Sequence, residues 1–196
     1  MVDVNHDVIQ IFSCEEIVQR ITELSARIIQ DYSRKGSPLC VVGVFKGAGI
    51  FVSDLVRAIG SWLPIDLHYL HSSPGDEPEI PSSIAEKHVL LVVNLISTGQ
   101  TLDTIVNACY EQKPRSVKVC VLVDKLQAHC IRVPEVRYIG FEVKEGWVVG
   151  YGLDQHDAFR HLPYLGIVPI AQVGTDQPQR NVSQSSGVVA DPNGSS

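Results

Sequence analysis

Several features are missing from this 196-residue chain, and the absences narrow the classes of function open to it. There is no run of lysine and arginine, and the net charge is −6. The electrostatic grip that duplex phosphates require is therefore lacking, and nucleic acid is not an expected partner. No apolar run reaches the roughly 20 residues that cross a bilayer. The N-terminus also lacks a basic segment followed by an apolar one, so neither a membrane span nor a secretory leader is expected. There is no Cys-x-x-Cys pair: Cys14, Cys40, Cys109, Cys120 and Cys130 are odd in number and scattered. Cys40, Cys109 and Cys120 fall inside apolar runs, where a thiol serves as a small core residue. Without a disulfide framework, a reducing, cytoplasmic setting is expected. Internal repeats are absent as well.

What is present is a soluble domain's composition, 44% hydrophobic and 19% charged, at a length that suits one domain. The chain alternates helix and strand signals. Ser13-Cys-Glu-Glu16 has capping-box spacing ahead of an amphipathic pattern at Ile17, Ile21, Leu24 and Ile28, which predicts a first helix ended by Gly36 and Pro38. Buried strands are expected at residues 39–45 and 88–93, further strands at 64–70 and 117–123, and shorter ones at 138–141 and 147–149. A second helix is marked by Ile50, Leu55, Val56 and Ile59. His68 and His71 are three apart, on opposite faces of a strand, so they do not make a metal pair. Residues 72–87 hold three prolines and several acids and read as a surface loop. From about Ala171 the chain turns polar, and residues 171–196 are expected to form a disordered tail behind a domain of residues 1–170. Such alternation implies an α/β fold, a mostly parallel sheet flanked by helices, with ligands beyond the carboxyl ends of the strands.

The most informative stretch is 88–104, HVLLVVNLISTGQTLDT. A buried strand passes through a turn, residues 94–101, into a helix carrying Leu102, Ile105, Val106 and Cys109. The free amides of a first helical turn, with the helix dipole behind them, attract anions. Ser97, Thr98 and Thr101 add side-chain donors. Ser97 or Thr98 acting only as a helix cap fits the same residues, and both readings stay open on the residues alone. A P-loop hydrolase is disfavoured, since the turn lacks the Gly-x₄-Gly spacing and the lysine.

Over residues 8–169 the order of segments resembles the hypoxanthine-guanine phosphoribosyltransferases in their shorter bacterial form. The likeness rests on Gly43-Val-Phe-Lys-Gly-Ala48, Ser97-Thr-Gly-Gln-Thr101, residues 117–125, Tyr138-Ile-Gly-Phe-Glu142 and Trp147-Val-Val-Gly-Tyr-Gly-Leu-Asp154. Behind the last come Phe159-Arg160 and Leu162-Pro-Tyr-Leu-Gly166. The resemblance implies a type I phosphoribosyltransferase-like fold with a small hood from the N- and C-terminal segments. It also implies magnesium-assisted transfer of phosphoribosyl from phosphoribosyl pyrophosphate (PRPP) to hypoxanthine or guanine, giving IMP or GMP and pyrophosphate. A homo-oligomer, dimer or tetramer, is implied too. By position, Ser97, Thr98, Gly99, Gln100 and Thr101 match the 5′-phosphate cradle; Lys46, Gly47 and Arg160 match the pyrophosphate contacts. Lys125, Trp147, Val148 and Asp154 match the purine side, with Asp154 also at a magnesium-contacting position. Outside that context, Lys125, Asp154 and Arg160 would be solvated charges and Trp147 a core residue.

The departures from the family pattern bear on chemistry. Val93-Asn94 stand where the family has two acids for the ribose hydroxyls and the metal. Valine can supply neither function, and asparagine only a neutral carbonyl oxygen. Ser97 stands where the family has its catalytic base, and an unassisted hydroxyl is a poor base near neutral pH. The lid's Ser-Tyr pair becomes Ser73-Pro74, in a shortened segment. These losses predict retained ligand binding with impaired catalysis, or a pseudoenzyme that binds purine nucleotides or regulates a partner.

Overall fold

The computed structural model describes residues 8–45, 47–71 and 77–169. Expectations placed on Lys46, on Ser73-Pro74 and on the polar tail fall outside the described residues. A short strand, β1 (Ile9–Phe12), leads into Ser13, which caps α1 (Cys14–Tyr32). Ser13 Oγ accepts from the Glu16 amide at 3.2 Å, and the Glu16 carboxylate accepts from the Ser13 amide at 2.8 Å. This is the reciprocal box that the Ser-x-x-Glu spacing predicts. Ile17, Ile21, Leu24 and Ile28 form the helix's buried face.

There follow β2 (Leu39–Phe45), α2 (Gly49–Gly60), β3 (Ile65–His71), β4 (His88–Ile96), α3 (Gln100–Glu111), β5 (Ser116–Asp124), β6 (Val136–Glu142), β7 (Trp147–Val149) and β8 (Leu165–Val168). Strands β2 to β6 pair in parallel in the order β3-β2-β4-β5-β6, which puts β4 at the centre. That position explains its unbroken apolar run, because both faces are covered. Leu90 and Val92 join Phe51, Leu55 and Leu24 beneath α1 and α2. Leu91 and Val93 join Leu102, Ile105 and Cys109 beneath α3. The expected hood is a separate antiparallel sheet, β1-β8-β7, whose Val148 and Leu165 share the α1/α2 core.

Three details differ from the sequence-based expectation. β4 does not stop at Val93, because Leu95 and Ile96 still pair with Val123 and Asp124, and the turn shrinks to Ser97-Thr98-Gly99. In α2 the sheet-facing residues are Phe51, Val52, Leu55 and Ile59, which leaves Ile50 on the outer side. Ile84, read as part of a surface loop, is fully buried on the α3 side by a short 3-10 turn. All five cysteines are free, and burial pushes the Cys40 and Cys109 thiols up to about 11, so they are inert core residues. Among the described residues, no helix is long and apolar enough to cross a membrane.

Candidate active site

The turn after β4 is built around Gly99. Its φ of +85° suits glycine, and a Cβ there would lie 2.3 Å from the Ile131 carbonyl oxygen. Gly99 is also the N-cap of α3, and no side chain caps that helix. The capping alternative for Ser97 and Thr98 therefore fails; Thr98 Oγ1 takes only a long 3.4 Å bond from the Gln100 amide. From behind, the turn is held by the Cys130 and Ile131 amides, which donate to the Thr98 carbonyl at 2.9 and 3.0 Å. The helix's positive end is thus left open beside three hydroxyls.

A cleft of about 530 Å³ lies over the carboxyl edge of the sheet. The turn contributes Ser97, Thr98, Gly99 and Thr101, β4 contributes Asn94, and the loop before α2 contributes Gly47. The hood contributes Asp154 and Arg160, and the end of β3 contributes His71. These segments meet with no room for side chains. A Cβ on Gly47 would fall 2.1 Å from Asn94 Nδ2, and one on Gly152 would fall 2.2 Å from the Gly47 carbonyl oxygen.

The cleft's fixed charges are largely spent on each other. Arg160 Nη2 sits 2.9 Å from Asp154 Oδ1 and 3.1 Å from Asp157 Oδ1, while Nη1 donates to the Gly152 carbonyl at 2.9 Å. Asp154 Oδ2 accepts from the Asp157 amide at 2.8 Å. Asp154 is the sole carboxylate among the described lining residues, and both its oxygens are engaged. The same cleft is lined by the neutral amide of Asn94. Magnesium favours several ionised or carbonyl oxygens in near-octahedral order. The residues present do not fit a magnesium held by the protein, and no chemical step here is routed through one.

Several residues that the sequence marks lie apart from this cleft. Lys125 is half-buried at the end of β5, with its amide donating to the Ile96 carbonyl at 3.0 Å. Gln100 is exposed on the first turn of α3, and Val148 is buried in the hood's core. Trp147 is not a core tryptophan: it is 43% exposed, and its indole N–H donates to the Asp154 carbonyl at 2.8 Å. Val93 is absent from the lining because it packs beneath α3. Lys46 lies outside the described residues. The cleft also includes His71, which the sequence reading weighed only as half of a metal pair. Its pairing with Phe45, at the carboxyl end of an edge strand beside the Gly47 loop, is the signal that places it there.

Comparison with known proteins agrees with this geometry. A family model described as a phosphoribosyl transferase domain matches residues 7–156. The chain is 34% identical over 172 residues to the hypoxanthine-guanine phosphoribosyltransferase of Staphylococcus aureus, across 83% of this chain and 94% of that one. It is 32% identical over 179 residues to the hypoxanthine phosphoribosyltransferase of Haemophilus influenzae, across 85% and 98%. The structure of the hypoxanthine phosphoribosyltransferase of Trypanosoma cruzi superposes with a TM-score of 0.78 at 30% identity, covering 82% of this chain and 95% of that one.

Proposed function

This chain belongs to the phosphoribosyltransferase family, in its hypoxanthine-guanine branch, and from that premise we propose that it grips a 5′-phosphorylated ribose and a 6-oxopurine while transferring between them slowly. The observation that carries the proposal is the uncapped N-terminus of α3, open to a cleft on the carboxyl edge of the sheet. The amides of residues 99–101 and the Ser97, Thr98 and Thr101 hydroxyls would hold the 5′-phosphate. Gly47 and Arg160, with Lys46, would face pyrophosphate. Trp147 would lend its open aromatic face to the purine, Lys125 would donate to the 6-oxo group, and the Val148 backbone would read the base edge. Asp154 ties the two halves, through Arg160 on one side and the Trp147 indole on the other.

In the reaction proposed, the bond from ribose C1′ to the pyrophosphate oxygen breaks and a bond from C1′ to purine N9 forms. The base gives up its N7 proton, and IMP or GMP leaves with pyrophosphate. Ser97 is the group at the proton's expected position, and it is a weak acceptor. Loss of general-base help lowers a rate by about 10²–10⁴-fold. Positioning and charge on the phosphates carry what rate is left. Magnesium would arrive on the substrate's own phosphates.

A second reading is favoured by one observation, the offset of Arg160 by two carboxylates. On that reading the chain is a nucleotide-binding pseudoenzyme without turnover. An assay with guanine, hypoxanthine and PRPP, beside calorimetric titration with GMP, separates the two. Slow product formation supports the first reading, and GMP binding without product supports the second. Turnover equal to that of the Staphylococcus aureus relative overturns both. A cytoplasmic homo-oligomer fits the free thiols and the exposed Phe45, Ile50, Leu67 and Tyr69 around β3 and α2.

A further inference from the structure

Behind the turn, on the side away from the cleft, lies a second recess of about 480 Å³. Ile96 is the wall the two share. On its floor is Asp124, only 2% exposed at the end of β5. Its Oδ1 lies 2.6 Å from His129 Nε2, but off the line of a hydrogen bond, so that oxygen has no aligned donor. A buried carboxylate is costly unless a cation or donor stands against it. Arg132 and Arg137 line the same recess and, like His129, are exposed at its rim, but among the described residues it is the imidazole that is in contact with the carboxylate. The carboxylate therefore draws His129 inward, and the loop that carries it comes too.

That loop is the one that braces the turn. Immediately after His129, the Cys130 and Ile131 amides hold the Thr98 carbonyl, and the Ile131 carbonyl oxygen sits against the α-carbon of Gly99. We propose that His129, seated on Asp124, is a positioning residue for the turn at residues 97–101: it fixes the loop whose backbone sets the aim of the α3 amides. The proposal rests on reading that turn as a phosphate site. Without the imidazole, the carboxylate admits water, the loop moves outward, and Thr98 loses two donors at once.

The test compares GMP with guanosine by calorimetric titration, in the native chain and in His129→Ala. A displacement of about 1 Å can weaken a positioned interaction by about ten-fold or more. His129→Ala is expected to weaken GMP by that amount while leaving guanosine unchanged, because only GMP carries the phosphate. His129→Arg, which places a donor opposite Asp124 again, is expected to recover GMP affinity. Equal losses for both ligands, or no loss for either, overturn the proposal. If the native chain binds no GMP, the phosphate reading fails on its own, and amide exchange decides the positioning role. Residues 98–101 should then exchange faster in His129→Ala, and unchanged exchange overturns it. If the alanine variant does not fold, His129→Asn, too short to reach the carboxylate, carries the same measurements.

Discussion

Asn94, Ser97 and Val93 stand where the resemblance implies acids, and the structure gives them unequal prospects. Asn94 and Ser97 line the cleft, whereas Val93 is buried beneath α3. Restoring charge with Asn94→Asp and Ser97→Asp together is expected to raise turnover by about 10²-fold or more, the usual worth of a positioned base. An unchanged rate with guanine and PRPP would contradict that expectation. Val93→Glu is expected to lower stability by about 3 kcal/mol through burial of an unpaired carboxylate, seen as a lower urea midpoint. Glycines carry a parallel lesson. Gly152 has φ +94° and meets the Gly47 carbonyl, so Gly152→Ala should cost both stability and ligand affinity, measured by thermal melting with and without GMP. The hydroxyls and glycine of the turn were legible in the sequence because adjacent residues make the feature. The engagement of Arg160 by Asp154 and Asp157 was not, since composition cannot say which of several charges will face one another.

At the scale of elements, the inner strands β2, β4 and β5 were readable because burial on both faces leaves an apolar run with few alternatives. β1 was not, since a four-residue strand takes its identity from its partner β8. The end of β4 was misplaced for a related reason: Asn94 looks like turn chemistry, but pairing with β5 carries the strand past it. Contacts between elements also set the response to acid. Burial, then Lys35, Arg115 and Lys118, holds His88 below its ordinary 6.5. Its unfolded form binds a proton more readily, so stability is full above about 6.5 and falls as pH drops toward the folded value. Asp31, near the end of α1, is held below 3.8 by hydrogen bonds from Lys118 and Tyr138. Its contribution is present above 3.8 and is lost as pH falls through the lower, folded value. Urea midpoints should therefore decline in two stages, with His88→Gln removing the first and Asp31→Asn shrinking the second. Asp31 is 44% exposed on its side chain, so solvent screening keeps its stage small.

For the whole molecule, the sheet, the hood and the loop behind the turn converge on one cleft that presents backbone donors while Asp154, the carboxylate among its described lining residues, is paired. Chain order made the fold class legible, because strand-helix alternation leaves few topologies. The composition of the cleft was legible only in part, since hood residues such as Asp154 and Arg160 reach it through tertiary folding. The account therefore stands on retention of a nucleotide grip apart from the power to make the nucleotide. Calorimetric titration of the native chain with GMP tests this most directly. Saturable binding with a Kd below about 1 mM is the predicted result. Absence of any heat of binding up to that concentration would contradict it.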